Sequence, residues 1–173
     1  MKWQRLPTAG LAFVLAACSP ALDWREFTPE GSGIFASFPC RPDRHARMVT
    51  LAGARVRMEM WACTAAGSTF ALSFVDVADP ARVGSTLSEL RAVMLSNVNG
   101  VSPILAPVQV IGMTPNPQAT RLACAGKLPD GTRVQAHAAF FSKGLRAYQA
   151  TTMGARPEPS GTETFFGGLK FPP

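Results

Sequence analysis

The sequence predicts an α+β domain: a mainly antiparallel sheet of about six to seven strands, one amphipathic helix mid-chain and a short helix near the C-terminus. Two observations carry this. Apolar and polar residues alternate with period two along much of the chain, in runs closed by Gly, Pro, Asn and Asp, the pattern of half-buried strands joined by hairpins. One mid-chain stretch instead repeats its apolar residues at helical spacing. Strands, helix, strands, helix, in that order, place helices against an antiparallel sheet.

The first element is not part of that domain. Met1-Lys2-Trp3-Gln4-Arg5 carries two positive charges and no acid, and a mostly apolar stretch over 6–17 follows, broken by Pro7, Thr8 and Gly10. Roughly 12 residues cover about 18 Å as a helix, against about 30 Å of hydrocarbon, so the stretch is too short to span a bilayer. A charged start, a short apolar core and small residues before a cut fit an export signal. In "LAFVLAACSP" those small residues are Ala16 and Ala17, with Cys18 immediately after.

Leu15-Ala16-Ala17-Cys18 resembles the lipobox of bacterial lipoproteins. The resemblance implies a diacylglyceryl group on the Cys18 thiol, cleavage before Cys18 and acylation of its new amino group. Several acyl chains on one residue make a firm anchor, at about 0.8 kcal/mol per buried CH₂. Ser19 stands where an inner-membrane retention signal of this family would have Asp, which implies the outer membrane. The expected organisation is a signal peptide over 1–17, lipidated Cys18 with a short tether over 18–31, and a single domain over 32–173, facing the periplasm.

The tether, "SPALDWREFTPEG", carries a first short strand at 24–27. "GIFASFP" is the next strand, closed by Pro39 and Pro42. "RMVTLAG" and "ARVRMEMWAC" form a hairpin about Ala52-Gly53. In its second arm Val56, Met58, Met60 and Ala62 face one way, and Arg55, Arg57, Glu59 and Trp61 the other. Ala65-Ala66-Gly67-Ser68 turns into "TFALSFVDV". There Phe70, Leu72 and Phe74 share one face, while the smaller Ala71, Ser73 and Val75 leave room for a helix on the other.

The central helix is expected over 87–98. Thr86 caps it, Glu89 completes a capping box, and Leu87, Leu90, Met94 and Val98 form its apolar stripe. Asn99-Gly100 stops it. "VSPILAP" and "VQVIGMT" then lead to the turn "PNP". "ATRLACAGKL", "TRVQAHAAFF" and "LRAYQATTM" form a meander, with turns at Pro129-Asp130-Gly131 and Ser142-Lys143-Gly144. Ser160-Gly161-Thr162-Glu163 has capping-box spacing and opens the closing helix through Phe165, Phe166 and Leu169.

Element order and end signatures over about 32–171 give a second resemblance. The strand ending Phe38-Pro39-Cys40-Arg41-Pro42, the mid-chain helix, the meander and the closing "TETFFGGLKF" are similar to the Mog1/PsbP-like α/β/α sandwich. Members of that fold serve mostly as non-catalytic binding or assembly factors, so the resemblance implies a binding module and carries over no catalytic residue.

Loss of Lys2 and Arg5 with the signal takes the formal net charge of the chain from +6 to +4. An exported, tethered protein would rarely meet nucleic acid, so a nucleic-acid partner is not expected. Lipid phosphates or acidic envelope polymers are better matches for the charge. Lipidation of Cys18 leaves Cys40, Cys63 and Cys124 in an oxidising compartment, where one disulfide and one free thiol are expected. Cys40 and Cys63 both end strands beside turn signals and are the expected pair, with Cys124 the competing partner for Cys63. Closure of a loop of about two dozen residues contributes roughly 3 kcal/mol.

No Gly-x-Ser-x-Gly elbow, phosphate loop or Cys-x-x-Cys occurs. His45 and His137 are the only histidines, and two without paired spacing make no zinc site. No metal and no cofactor are expected. Arg55 and Arg57 share one strand face, and Arg133, Gln135 and His137 another. Were those strands neighbours, they would join into a basic binding face. The expectation is therefore an envelope lipoprotein, not an enzyme, whose domain meets an envelope protein partner. A small-ligand or envelope-polymer binder is the alternative, and a hydrolase using His45 or His137 the third reading.

Overall fold

The computed structural model describes residues 22–173. Among these residues nine strands and two α-helices are formed, with the α+β character expected. β3 (Asp43–Leu51), β4 (Ala54–Ala65), β5 (Ser68–Asp76), β9 (Arg146–Gly154), β8 (Arg133–Lys143), β7 (Thr120–Lys127) and β6 (Val101–Ala106) form one sheet in that spatial order. Every neighbouring pair in it is antiparallel. β1 (Arg25–Phe27) and β2 (Ala36–Phe38) form a separate two-stranded sheet. No helix among the described residues is long and apolar enough to cross a membrane.

The two hairpins at Ala52-Gly53 and Ala66-Gly67 close with φ of 48° and 75°, and 48° and 71°. Both central residues of each turn are left-handed, the geometry that continues the twist of the flanking strands. β3 begins earlier than "RMVTLAG", at Asp43, because "DRHAR" pairs in register with Ala62 back to Met58. His45 therefore lies on an edge strand.

α1 (Val83–Asn97) crosses β8 and β9 on one side of the sheet. Leu87, Leu90, Met94 and Val98 bury there against Val75, Leu122, Val134 and Phe140, over the small side chains of Ala136, Ala138 and Ala147. The helix starts four residues before the expected 87, through a 3₁₀ turn at Pro80–Arg82 capped by Asp79, whose Oδ1 accepts from the Ala81 N–H at 2.9 Å. Thr86 is not the cap. It sits inside the first turn and donates to the Arg82 carbonyl at 2.8 Å. Glu89, released from the capping box, accepts from the Ala52 N–H and so ties the β3–β4 turn to the helix.

The opposite face is aromatic. Phe38, Phe70, Phe74, Phe141, Tyr148, Phe165, Phe166 and Phe171 pack there, beneath β1–β2, residues 107–119, α2 (Pro159–Gly167) and the C-terminal residues. Phe165 meets Phe38 and Phe70 edge-on at 5.2 and 5.5 Å. α2 is capped by Glu158, with Pro159 at its first position, and not by Ser160. "GIFASFP" yields only Ala36–Phe38 and leaves the main sheet, since Gly31 and Gly33 at φ 74° and 68° bend the chain and Ile34, Ala36 and Phe38 bury beneath α2. The tether expected over 18–31 is folded from its later residues: the Asp23 N–H donates to Pro39 at 2.9 Å, and Trp24 packs edge-on to Phe70 at 5.8 Å.

Candidate functional site

Cys18 lies outside the described residues. Cys40 and Cys63 are joined in a disulfide, with Cα atoms 6.0 Å apart, tying the end of β2 to β4. Cys124 is free and buried on β7, and burial pushes its thiol up from the ordinary range. Cys40 and Cys63 are both oxidised, so neither offers a thiolate to His45.

The strands that carry the expected basic face are not neighbours. β5 and β9 lie between β4 and β8, and the residues fall into three groups on the same side of the sheet. The register explains why: Arg57 lies toward the Asp76 end of the sheet and Arg133 toward the Gly154 end, so the two strands place their arginines at opposite corners. Sequence alternation assigns a face correctly but contains nothing about strand order.

At the first corner Glu59 gathers the cations. Its carboxylate accepts from Arg57 Nε at 2.9 Å and Arg44 Nε at 2.8 Å, and Arg44 also reaches Glu30 at 3.0 Å. These hydrogen bonds, from Arg44 first, hold the Glu59 carboxyl below the usual range. Arg55 stands exposed nearby on a groove of about 510 Å³, shared with Asp76, Asp79 and Arg82.

The second group joins His137 of the expected face to two residues outside that expectation, Arg121 and Glu163. Arg121 on β7 makes a two-pronged ion pair with Glu163 on α2, at 3.1 and 2.7 Å, and its guanidinium lies 4.6 Å from the centre of the Phe166 ring. Hydrogen bonding to Arg121 lowers the Glu163 pKa. His137 is half-buried beside them. Burial, then the charge of Arg121, lower its pKa and favour the neutral imidazole, with Glu163 opposing weakly. The pair rims a cavity of about 300 Å³ between α2 and the sheet, floored by Val108, Val110, Ala139, Phe166 and Leu169. Both Glu163 oxygens are engaged by Arg121, so the pair clamps α2 to β7. The second capping-box glutamate could have flagged it only by failing to cap.

The third group is Arg133, on β8 directly opposite Lys127 of β7. Among the described residues neither has an acidic partner within ion-pair distance. With Asn99, Val101 and Gln135 they line an open groove of about 590 Å³ that runs to the start of β6. β6 itself is the other feature missed: Val101, Ile104 and Leu105 are exposed on the outer edge of the sheet. The signal was present as composition, an apolar "VSPILAP" inside a stretch from Leu90 to Pro129 that has no acidic residue.

No family model matches this chain, and no curated protein matches it in sequence.

Proposed function

We propose that this chain is a lipid-anchored envelope protein whose domain is a non-catalytic binding or assembly module, held at the outer membrane through Cys18 and facing the periplasm. The observation that carries the reading is the "LAAC" box at 15–18, set close to the first packed residues of the domain. From Cys18 to Leu22 the chain reaches at most about 14 Å, so an acylated Cys18 would keep the β1 corner at the bilayer surface. β1 packs against β4 through Phe27 and Trp61, and β6 lies five strands beyond β4. At the usual strand spacing that is about 24 Å, which leaves the far edge free to meet a protein partner in the envelope. Layering of α1 on one face and of β1–β2 with α2 on the other supports likeness to the Mog1/PsbP-like sandwich.

A second reading, a small-ligand or envelope-polymer binder, is favoured by the apolar-floored cavity with Arg121 and Glu163 at its rim, the usual composition of a ligand pocket. Fractionation tests the anchor. Wild-type protein should sediment with membranes and Cys18→Ser protein should not; unchanged sedimentation would overturn the lipid anchor. Capture from cross-linked envelopes tests the module, and a specific partner is expected. Thermal stabilisation by envelope extract depleted of protein, with no partner captured, would replace this reading with the second one.

A further inference from the structure

We propose that the outer edge of β6, unpaired among the described residues, receives an extended segment of a partner protein, apolar along its length and acidic where it passes Lys127 and Arg133. The proposal rests on the binding-module reading above and adds to it the surface and the chemistry of the partner.

The two edges of the sheet differ in kind. β3 presents Arg44, His45 and Arg47 in its exposed outer run, the charged dressing that discourages strand addition, with Met48 its one exposed large apolar side chain. β6 presents Val101, Ile104 and Leu105, exposed at 61%, 70% and 56%, three of the seven large apolar side chains left in solvent among the described residues. Ile104 lies opposite Ala123 and Leu105 opposite Leu122, so the two point to opposite faces of the sheet. A strand laid along the edge would cover both with its own alternating side chains and take up the outward N–H and C=O groups. Pro103 and the irregular register between Val101 and Ile104 interrupt only the first half of the edge, while Ile104, Leu105 and Ala106 remain in step with β7.

Charge then selects the occupant. Lys127 and Arg133 face each other directly across β7 and β8, an arrangement that costs free energy unless an acid joins it. Asp130, in the turn between them, instead accepts from the Thr132 N–H at 2.9 Å. Both cations share their groove with Val101, so it is continuous with the start of β6. A carboxylate carried by the docked segment would relieve the opposed pair. A second copy of this chain is a poor occupant, since edge-to-edge pairing would bring together two stretches that contain basic residues and no acid between Leu90 and Pro129.

The test uses the full-length protein in detergent and two labelled synthetic peptides, a short Val-Ile segment flanked by glutamates and its twin flanked by lysines, read by fluorescence anisotropy. The glutamate peptide should bind at least about ten-fold tighter, less so as salt rises. The double variant Lys127→Glu/Arg133→Glu should reverse the preference, a gain of binding that a misfolded protein could not give. Leu105→Lys, or N-methylation of alternate peptide amides, should abolish binding. Equal affinity for the two peptides, or a preference unmoved by charge reversal, would overturn the proposal. So would a concentration-dependent dimer lost in Leu105→Lys, which would assign the edge to a second copy. Capture from envelopes separates the two readings. A partner kept by Lys127→Glu/Arg133→Glu but lost in Arg55→Glu/Arg57→Glu upholds the binding module and overturns the edge. Peptide binding as expected with no envelope partner upholds the edge and overturns the envelope-partner reading.

Discussion

α1 closes its side of the sheet with one continuous helix, whereas the other side is closed by four separate stretches: β1–β2, residues 107–119, α2 and the C-terminal residues. The difference shows in the side chains. Beneath α1 the sheet offers Ala136, Ala138 and Ala147, and a regular helix comes close enough for Leu87 and Leu90 to fill the gap. Gly126 marks that closeness, since a Cβ there would lie 2.1 Å from the Val98 carbonyl oxygen. The patchwork side has irregular gaps, filled by phenylalanine rings that bury large areas each. Its pieces are stitched by isolated long-range bonds: Phe35 with Lys170 at 2.8 and 3.2 Å, Thr114 with Ser142 at 2.8 Å, Phe171 with Ile111 at 2.9 Å.

The largest effect should come from the centre of the patchwork. Phe165 is fully buried, and Phe165→Ala should cost about 3–5 kcal/mol in urea unfolding. Because Phe38 and Phe70 both rest on that ring, amide exchange should rise in β1–β2 as well as in α2. Unchanged protection in β1–β2 would mean that the stretches close the face independently. Leu87→Ala, on the helix side, should cost about 2–5 kcal/mol and lower protection through the whole sheet, as loss of a continuous core layer does. The disulfide comes next. Cys40→Ser/Cys63→Ser should cost roughly 3 kcal/mol and loosen the Trp24–Phe27 corner first, since Cys40 joins β2 to β4 there. A melting midpoint unmoved by reduction would show that the aromatic contacts hold that corner alone.

The same contrast explains what could be read from the sequence. The α1 face is legible because its pattern is local: Leu87, Leu90, Met94 and Val98 recur at helical spacing and the Val56-Met58 stripe at strand spacing. The disulfide is legible for a related reason: Cys40 follows β2 closely and Cys63 stands two residues inside the end of β4, each beside a turn signal. The patchwork face depends on contacts between residues far apart in the chain, and no periodicity reports them. Both apparent capping boxes misled in the same way. Asp79-Pro80 and Glu158-Pro159 are the true starts, and the freed Glu89 and Glu163 make tertiary contacts instead. Strand order, which decides that Arg55 and Arg133 do not meet, is likewise a property of the assembled sheet.

Acid should weaken the patchwork face before the helix face. His137 has a lowered pKa in the folded chain, against 6.5 as its ordinary value. The unfolded chain therefore takes up its proton first, so the contribution of His137 is complete above about pH 6.5 and declines as pH falls from there toward the lowered value. Glu59 and Glu163, also lowered, withdraw their contribution only below about pH 4.5. A melting curve followed across this range should show two steps, and His137→Gln should remove the upper one.

The smallest expected change is also the sharpest test of the clamp. Arg121 and Glu163 are partly exposed, so Glu163→Gln and Arg121→Gln should each cost only about 0.2–1 kcal/mol. Their effects on His137 should nevertheless have opposite signs. Arg121 lowers the imidazole pKa and Glu163 raises it, so Arg121→Gln should move the titration upward toward 6.5 and Glu163→Gln should move it further down. Proton NMR of the imidazole reads both, with His45→Gln assigning the resonances. Shifts of the same sign in the two variants would mean that His137 responds to a loosening of α2 and not to the two charges. Opposite shifts with unchanged exchange in α2 would assign the clamp an electrostatic role, separate from the aromatic packing that holds the helix down.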